Sequence, residues 1–237
     1  MKNIIVPKYT DSGMFIKEIR SFVIRKKKIK NLNIVKFNQY WNLYGIDFTT
    51  NKYLKNIFFK KNNPIILEIG FGNGIDLIKE SIMHENINYL GIEVYFSGLF
   101  SCLKNIFQKK IQNLKVIYHD AKEVLEYMVV KRTLNKVRIF FPDPWNKKKH
   151  RKRRLINKSF LLLLYIKLVD KGKIHILTDS ENYIQEIINN IILINKVNCI
   201  FFFKLKKLFF SKNIETTFLK KCVSKKNSFF SLKIFKI

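Results

Sequence analysis

From Pro64 onward the chain alternates short apolar runs with stretches in which apolar residues recur three and four apart. Ile65–Ile69, Tyr89–Val94, Leu114–Tyr118, Val137–Phe141 and Lys173–Leu177 have the length and composition of strands. The intervening Ile75–Met83, Gly98–Lys109, Ala121–Met128, Leu155–Val169 and Glu181–Ile192 have the period of helices. Parallel strands need crossovers long enough to hold a helix, and those helices cover both faces of the sheet. The alternation therefore predicts an α/β fold with a central, mostly parallel sheet between two helical layers. Phe201–Phe203 and Phe229–Phe235 add two late strands. Residues 1–58 lack a clean period and are expected to form a basic N-terminal arm with one helix, ahead of a single domain over 59–237.

The first strand ends in Glu68-Ile69-Gly70-Phe71-Gly72-Asn73-Gly74. Glycines between a strand and a helix let the backbone approach a nucleotide-like ligand at the helix N-terminus. Glu93 ends the second strand, where a carboxylate can accept both hydroxyls of a ribose. Asp120 follows the third, where a carboxylate can take the amino group of an adenine. Glu68, Glu93 and Asp120 thus occupy the carboxyl ends of three successive strands, in a chain with only 17 acids. Together they point to an adenosine-containing cofactor.

Pro142-Asp143-Pro144 leaves the fourth strand with two fixed φ angles around one carboxylate. A basic run, Lys147-Lys148-Lys149-His150-Arg151-Lys152-Arg153-Arg154, follows almost at once. The whole chain carries 46 Lys and Arg against 17 Asp and Glu, a formal charge of +29. Lys outnumbers Arg 39 to 7, however, and Lys, Asn, Ile, Phe and Tyr are residues of A- and T-rich codons, so the total charge specifies little. The arginines are more informative, because a planar fork matches phosphate. Three of the seven lie at 151, 153 and 154, which points to a polyanionic partner bound beside Asp143.

Other classes are disfavoured. Cys102, Cys199 and Cys222 are too scattered for a disulfide framework or a cysteine zinc site. His84, His119, His150 and His175 lack metal-ligand spacing, so no metal is expected. The apolar stretch Phe160–Val169 is about half a membrane span and contains Lys167, and charges at Asp11, Lys17, Glu18 and Arg20 interrupt any signal-peptide core. No membrane partner and a soluble, cytoplasmic protein are the expectations. Nothing specifies an oligomer, and a monomer is favoured.

The Glu-x-Gly-x-Gly-x-Gly loop resembles that of S-adenosylmethionine-dependent methyltransferases with the Rossmann-like fold. Phe140-Phe141-Pro142-Asp143-Pro144-Trp145-Asn146-Lys147, with His150 and Arg153-Arg154, resembles the signature of the bacterial tRNA (guanine-7-)-methyltransferases. The likeness extends to His119-Asp120-Ala121, Thr178-Asp179 and Ile19-Arg20-Ser21-Phe22-Val23. It implies methylation of a variable-loop guanosine in tRNA. Glu68, Gly70, Gly72, Glu93, Asp120 and Asp143 would hold S-adenosylmethionine, with Asp143 also the catalytic carboxylate. Lys147, Asp179 and Thr216 would touch substrate, and Lys149, His150, Arg151, Lys152, Arg153 and Arg154 the RNA.

Two departures stand out. Leu219 replaces the glutamate that usually ends the family's C-terminal Thr-x-Phe/Tyr-Glu element, and Asn146 stands where His is frequent. Leu219 and the Phe/Lys-rich region 196–212 leave a second reading open, a non-catalytic RNA-binding protein on a decayed methyltransferase scaffold. Intact Glu93, Asp120 and Asp143 oppose it. A nicotinamide-dependent oxidoreductase is disfavoured by the glycine spacing and by the Pro-Asp-Pro-Trp segment.

Overall fold

A computed structural model describes residues 4–16, 18–23, 31–50, 63–209 and 228–237. In chain order they form β1 (Lys8–Tyr9), β2 (Phe15–Ile16), α1 (Asn31–Tyr44), β3 (Gly45–Ile46), β4 (Ile65–Ile69), α2 (Ile75–Met83), β5 (Asn88–Glu93) and α3 (Phe96–Gln108). There follow β6 (Leu114–Tyr118), α4 (Ala121–Glu123), β7 (Leu134–Phe140), α5 (Lys158–Lys167), β8 (Leu168–Thr178), α6 (Glu181–Asn198), β9 (Phe201–Phe209) and β10 (Ser228–Lys236). A π-helical segment, Val124–Met128, continues α4, and a 3-10 helix spans Lys148–Arg153.

The main sheet has the order β3-β6-β5-β4-β7-β8-β10-β9 among the described residues. Pairing from β3 through β8 is parallel, whereas β10 runs antiparallel to both β8 and β9. The expected mostly parallel sheet is therefore present. From β4 the chain steps to β5 and β6 on one side, then returns to β7 and β8 on the other. Ligands of open α/β sheets bind outside the carboxyl ends of the strands at such a reversal.

Strand side chains alternate between two cores, as burial on both faces requires. Leu67, Leu90, Ile117 and Val137 face one core, closed by Leu161 and Leu164 of α5 and by Tyr183, Ile187 and Ile191 of α6. Ile66, Tyr89 and Val116 face the other, closed by Trp41 of α1, Leu77 of α2 and Leu103 of α3. Residues 31–46 join this body: α1 packs its aromatic face into the second core, and β3 pairs with β6 at the sheet edge.

The helix expected over Leu155–Val169 is shorter at both ends. Asn157 accepts a hydrogen bond from the Phe160 N–H at 3.0 Å and caps the helix at Lys158. At the other end Leu168 already pairs with Leu134 of β7. The last two strands are longer than their apolar runs suggest, because β9 carries exposed lysines at 204, 206 and 207 while its backbone pairs with β10 along its whole length. Among the described residues no helix is long and apolar enough to cross a membrane.

Candidate active site

The carboxyl ends of β4, β5, β6 and β7 enclose one cleft. Ile69 and Gly70 contribute from β4, Glu93 from β5, His119 and Ala121 from β6, and Phe140 through Asp143 from β7. Ser21 and Phe22 of the N-terminal arm form a further wall. Gly70 and Gly72 adopt φ of +73° and +60°, and a Cβ at either would meet nothing within 4 Å. Glycine is required there by backbone conformation, and the exposed backbone is left facing open space.

Glu93 organises this edge. It is buried, and its carboxylate accepts from the N–H groups of Gly72 at 2.7 Å, Val94 at 2.8 Å and Tyr95 at 2.9 Å. It therefore ties the glycine loop to the start of α3. Burial raises its pKa above the usual carboxylate range; the three N–H bonds oppose the rise, and the nearby Asp143 carboxylate adds to it.

Asp120 is buried and already engaged. One oxygen caps α4 through the Lys122 N–H at 2.8 Å, and the other pairs with Arg20 at 3.0 Å. The same Arg20 nitrogen lies 2.6 Å from Glu123. Glu123 also accepts from the Val6 N–H at 2.8 Å and from His119 Nε2 at 2.6 Å. A carboxylate only accepts, so Nε2 carries the hydrogen. Burial alone would raise the Glu123 pKa, but the bonds from His119, Val6 and Arg20 outweigh it and hold the carboxyl below its ordinary value. Arg20 is thus the point at which the arm is fastened over the cleft. Besides its neighbour Glu18 at 2.9 Å, its carboxylate partners Asp120 and Glu123 lie 100 and 103 residues away, and no local pattern in the chain announces them.

Glu68 departs from its expected place. Its side chain points to the opposite face of the sheet from the cleft-lining Ile69, where Arg138 Nε lies 3.1 Å away and Glu80 approaches the same guanidinium at 3.3 Å. The Arg138 contact is off hydrogen-bonding geometry, so burial dominates and pushes the Glu68 carboxyl up to about 7. Glu68 braces the strand beneath the glycine loop rather than entering the cleft.

The loop after β7 is strained at both ends. Phe141 has φ +50° and Trp145 φ +46°, left-handed values that non-glycine residues adopt at a cost of about 1–3 kcal/mol each. Between them Asp143 is exposed and lines the cleft. The Phe141 N–H is bonded to the Leu177 carbonyl at 2.7 Å, and Trp145 Nε1 donates to the Ser21 carbonyl at 3.2 Å, joining this loop to the arm. Beyond it Lys147, Lys149, Arg151 and Lys152 are exposed. Arg153 stacks over the Trp145 ring at 4.8 Å, and His150 meets that ring edge-on. Arg154 turns inward and is 2% exposed, so this member of the run offers no open face to RNA. Asp179 follows β8 and is half-buried outside the cleft lining. Thr216 and Leu219 lie outside the described residues. Among the described residues no group of three or more His, Cys, Asp or Glu is placed to hold a metal ion.

Residues 62–232 match a family described as "Putative methyltransferase". The chain is 45% identical to the tRNA (guanine-N(7)-)-methyltransferase of Buchnera aphidicola subsp. Schizaphis graminum, over 99% of this chain and 98% of that protein. A protein of the same name from Actinobacillus succinogenes is 38% identical, over 79% of this chain and 75% of its own. The chain belongs to the tRNA (guanine-N(7)-)-methyltransferase family. Among solved structures, the precorrin-6y C5,15-methyltransferase of Geobacter metallireducens superposes with a TM-score of 0.53 at 12% identity, covering 91% of this chain and 95% of that one. At that identity the likeness concerns the fold alone.

In this family member two side chains off the cleft yield measurable expectations. Arg20→Met leaves Asp120 and Glu123 without their cation, which weakens docking of the arm by about 3 kcal/mol. Cleavage by chymotrypsin after Tyr9, Phe15 and Phe22 should then accelerate roughly a hundred-fold under conditions where opening is in equilibrium. Glu68 has a folded pKa above its unfolded one, so it binds more protons in the fold, and its ionisation erodes stability as pH rises from 4.5 to about 7. Glu68→Gln should flatten that part of a urea-denaturation profile against pH.

Proposed function

We infer that the protein transfers the methyl group of S-adenosylmethionine to the 7-nitrogen of a guanosine in tRNA. The observation that carries this reading is the meeting of Asp143, Glu93 and the glycine loop in one cleft that opens beside an exposed basic run. The residues present fit the cofactor. The open backbone at Gly70 and Gly72 receives a ligand, Glu93 retains lone-pair capacity beyond its three N–H bonds, and Ile69, Ile92 and Ile139 supply an apolar wall. Bound there, S-adenosylmethionine supplies a methyl group on a positively charged sulfur. Asp120 has both oxygens engaged by protein donors, so it meets an adenine amino group only through its remaining lone pairs.

Guanine N7 carries its own lone pair, so Asp143 need not remove a proton. Its carboxylate accepts hydrogen bonds from the ring N–H and amino group of the base, turns N7 into the cleft, and offsets the positive charge that the ring gains. The prolines on either side limit its freedom. Lys147 and Asp179 meet the substrate at the mouth of the site. Lys149, Arg151, Lys152 and Arg153 hold the phosphates, with His150 at the edge of the same surface. By family resemblance the target is the variable-loop guanosine. The arm and residues 59–237 act as one functional unit, since Ser21 and Phe22 complete the cleft wall.

Asp143→Asn keeps the shape and removes the charge. With labelled S-adenosylmethionine and unmodified tRNA, kcat should fall by about 10²–10³-fold while tRNA affinity stays nearly unchanged. Label should map to 7-methylguanosine by specific strand cleavage. Affinity collapsing in parallel with activity would remove the assigned role, and wild-type binding without incorporation would favour the non-catalytic scaffold. Arg151→Ala with Arg153→Ala should weaken tRNA binding and reduce the slope of log K against log salt by about 1 to 2.

A further inference from the structure

We propose that Arg154 is a positioning residue for Asp143, holding the strained loop 141–146 in place and taking no part in RNA binding. The inference rests on the reading of Asp143 given above, but its structural half stands independently. Arg154 closes the basic run, yet its side chain leaves the surface on which Arg151 and Lys152 lie. It is 2% exposed, and Nε donates to the Pro144 carbonyl at 2.8 Å. Nη1 pairs with the Glu186 carboxylate of α6, and the guanidinium lies 4.7 Å over the Tyr183 ring of the same helix. The Tyr183 hydroxyl in turn accepts from the Ile156 N–H at 2.9 Å, so α6 holds the chain both at Arg154 and two residues beyond it.

The loop needs such a grip. Pro142 and Pro144 have no N–H to donate, and two left-handed residues flank Asp143. Strained backbone of this kind persists only where its surroundings over-determine it. The Phe141 N–H bond to Leu177 secures the start of the loop, and Trp145 reaches the arm. Arg154 adds the tie from the carbonyl next to Asp143 to a rigid helix. A planar guanidinium can meet that carbonyl, a carboxylate and an aromatic face at once, whereas an ammonium cannot. Freeing it to bind phosphate would strip Glu186 and Pro144 of their donor. A shift of about 1 Å at a reacting group is worth roughly 10² in rate, which sets the expected effect.

The test uses the full chain with Arg154→Lys, Glu186→Gln and the two combined. Hydrogen exchange of the free protein over residues 141–147 should rise about ten-fold in Arg154→Lys, the expectation for losing roughly 1.4 kcal/mol of local stability. Unchanged exchange would overturn the clamp whatever the activity. With tRNA, kcat should drop about 10²-fold, while Kd and its salt slope stay at wild-type values. A reduced salt slope would place Arg154 in the RNA interface and overturn the proposal. The combined variant should lose little more than Arg154→Lys alone, because both changes break one clamp. A core variant matched in melting temperature, Leu164→Ala, should keep its kcat; equal loss there would reduce Arg154 to a general stability effect and also overturn the proposal. If the wild type transfers no methyl group to tRNA while exchange responds as expected, the reading of the reaction fails and the clamp survives.

Discussion

Three N–H groups converge on the buried carboxylate of Glu93, and the cleft is built around that convergence. Gly72 belongs to the turn after β4, while Val94 and Tyr95 begin the turn after β5. One side chain therefore fixes two neighbouring strand ends relative to each other. Gly98 contributes from α3, where a Cβ would collide with the Gly72 carbonyl, so the glycine loop and the helix can touch. The cost of burying Glu93 is recovered in the N–H groups it satisfies, which would otherwise be orphaned at a turn and a helix start.

The charges of this protein divide by what they face. Arg138 and Arg154 are buried cations with carboxylate partners on α2 and α6, and Arg20 is a largely buried cation fastened to Asp120 and Glu123. Each joins segments distant in sequence, and removing one would strand a buried carboxylate or carbonyl. Lys147, Lys149, Arg151 and Lys152 are solvated and gathered on one side of the cleft mouth. The first group sets the shape of the site, and the second leaves a concentrated positive charge in solvent beside it. Formal charge alone does not separate the two.

The fold was largely legible in the chain because its signal is periodic and local. Five strands recognisable from Ile65, Tyr89, Leu114, Val137 and Lys173 onward appear in the parallel sheet, and the helices between them cover both faces. The misplacements have local causes. Asn157 starts α5 late through its cap, and β9 runs past Phe203 because a sheet partner holds lysines extended without needing an apolar pattern. The residues that announce themselves singly, the glycine loop, Glu93 and the proline-flanked Asp143, are the ones the structure brings together at one cleft. Glu68 lies on the face opposite the cleft lining, against Arg138, because strand parity decides the face and cannot be told from proximity to the glycines.

By itself, then, the sequence determined the α/β class, the carboxyl edge at which ligands bind, and the residue types brought to that edge, since hydrophobic period and turn chemistry are properties of neighbouring residues. Only the tertiary structure decided which charges are surface and which are braces, that Arg20 fastens the arm over the cleft, and that Arg154 faces Pro144 and Glu186 instead of solvent. Those assignments depend on pairings across 10 to 103 residues of chain, which arise only when the packed elements bring the partners within hydrogen-bonding distance.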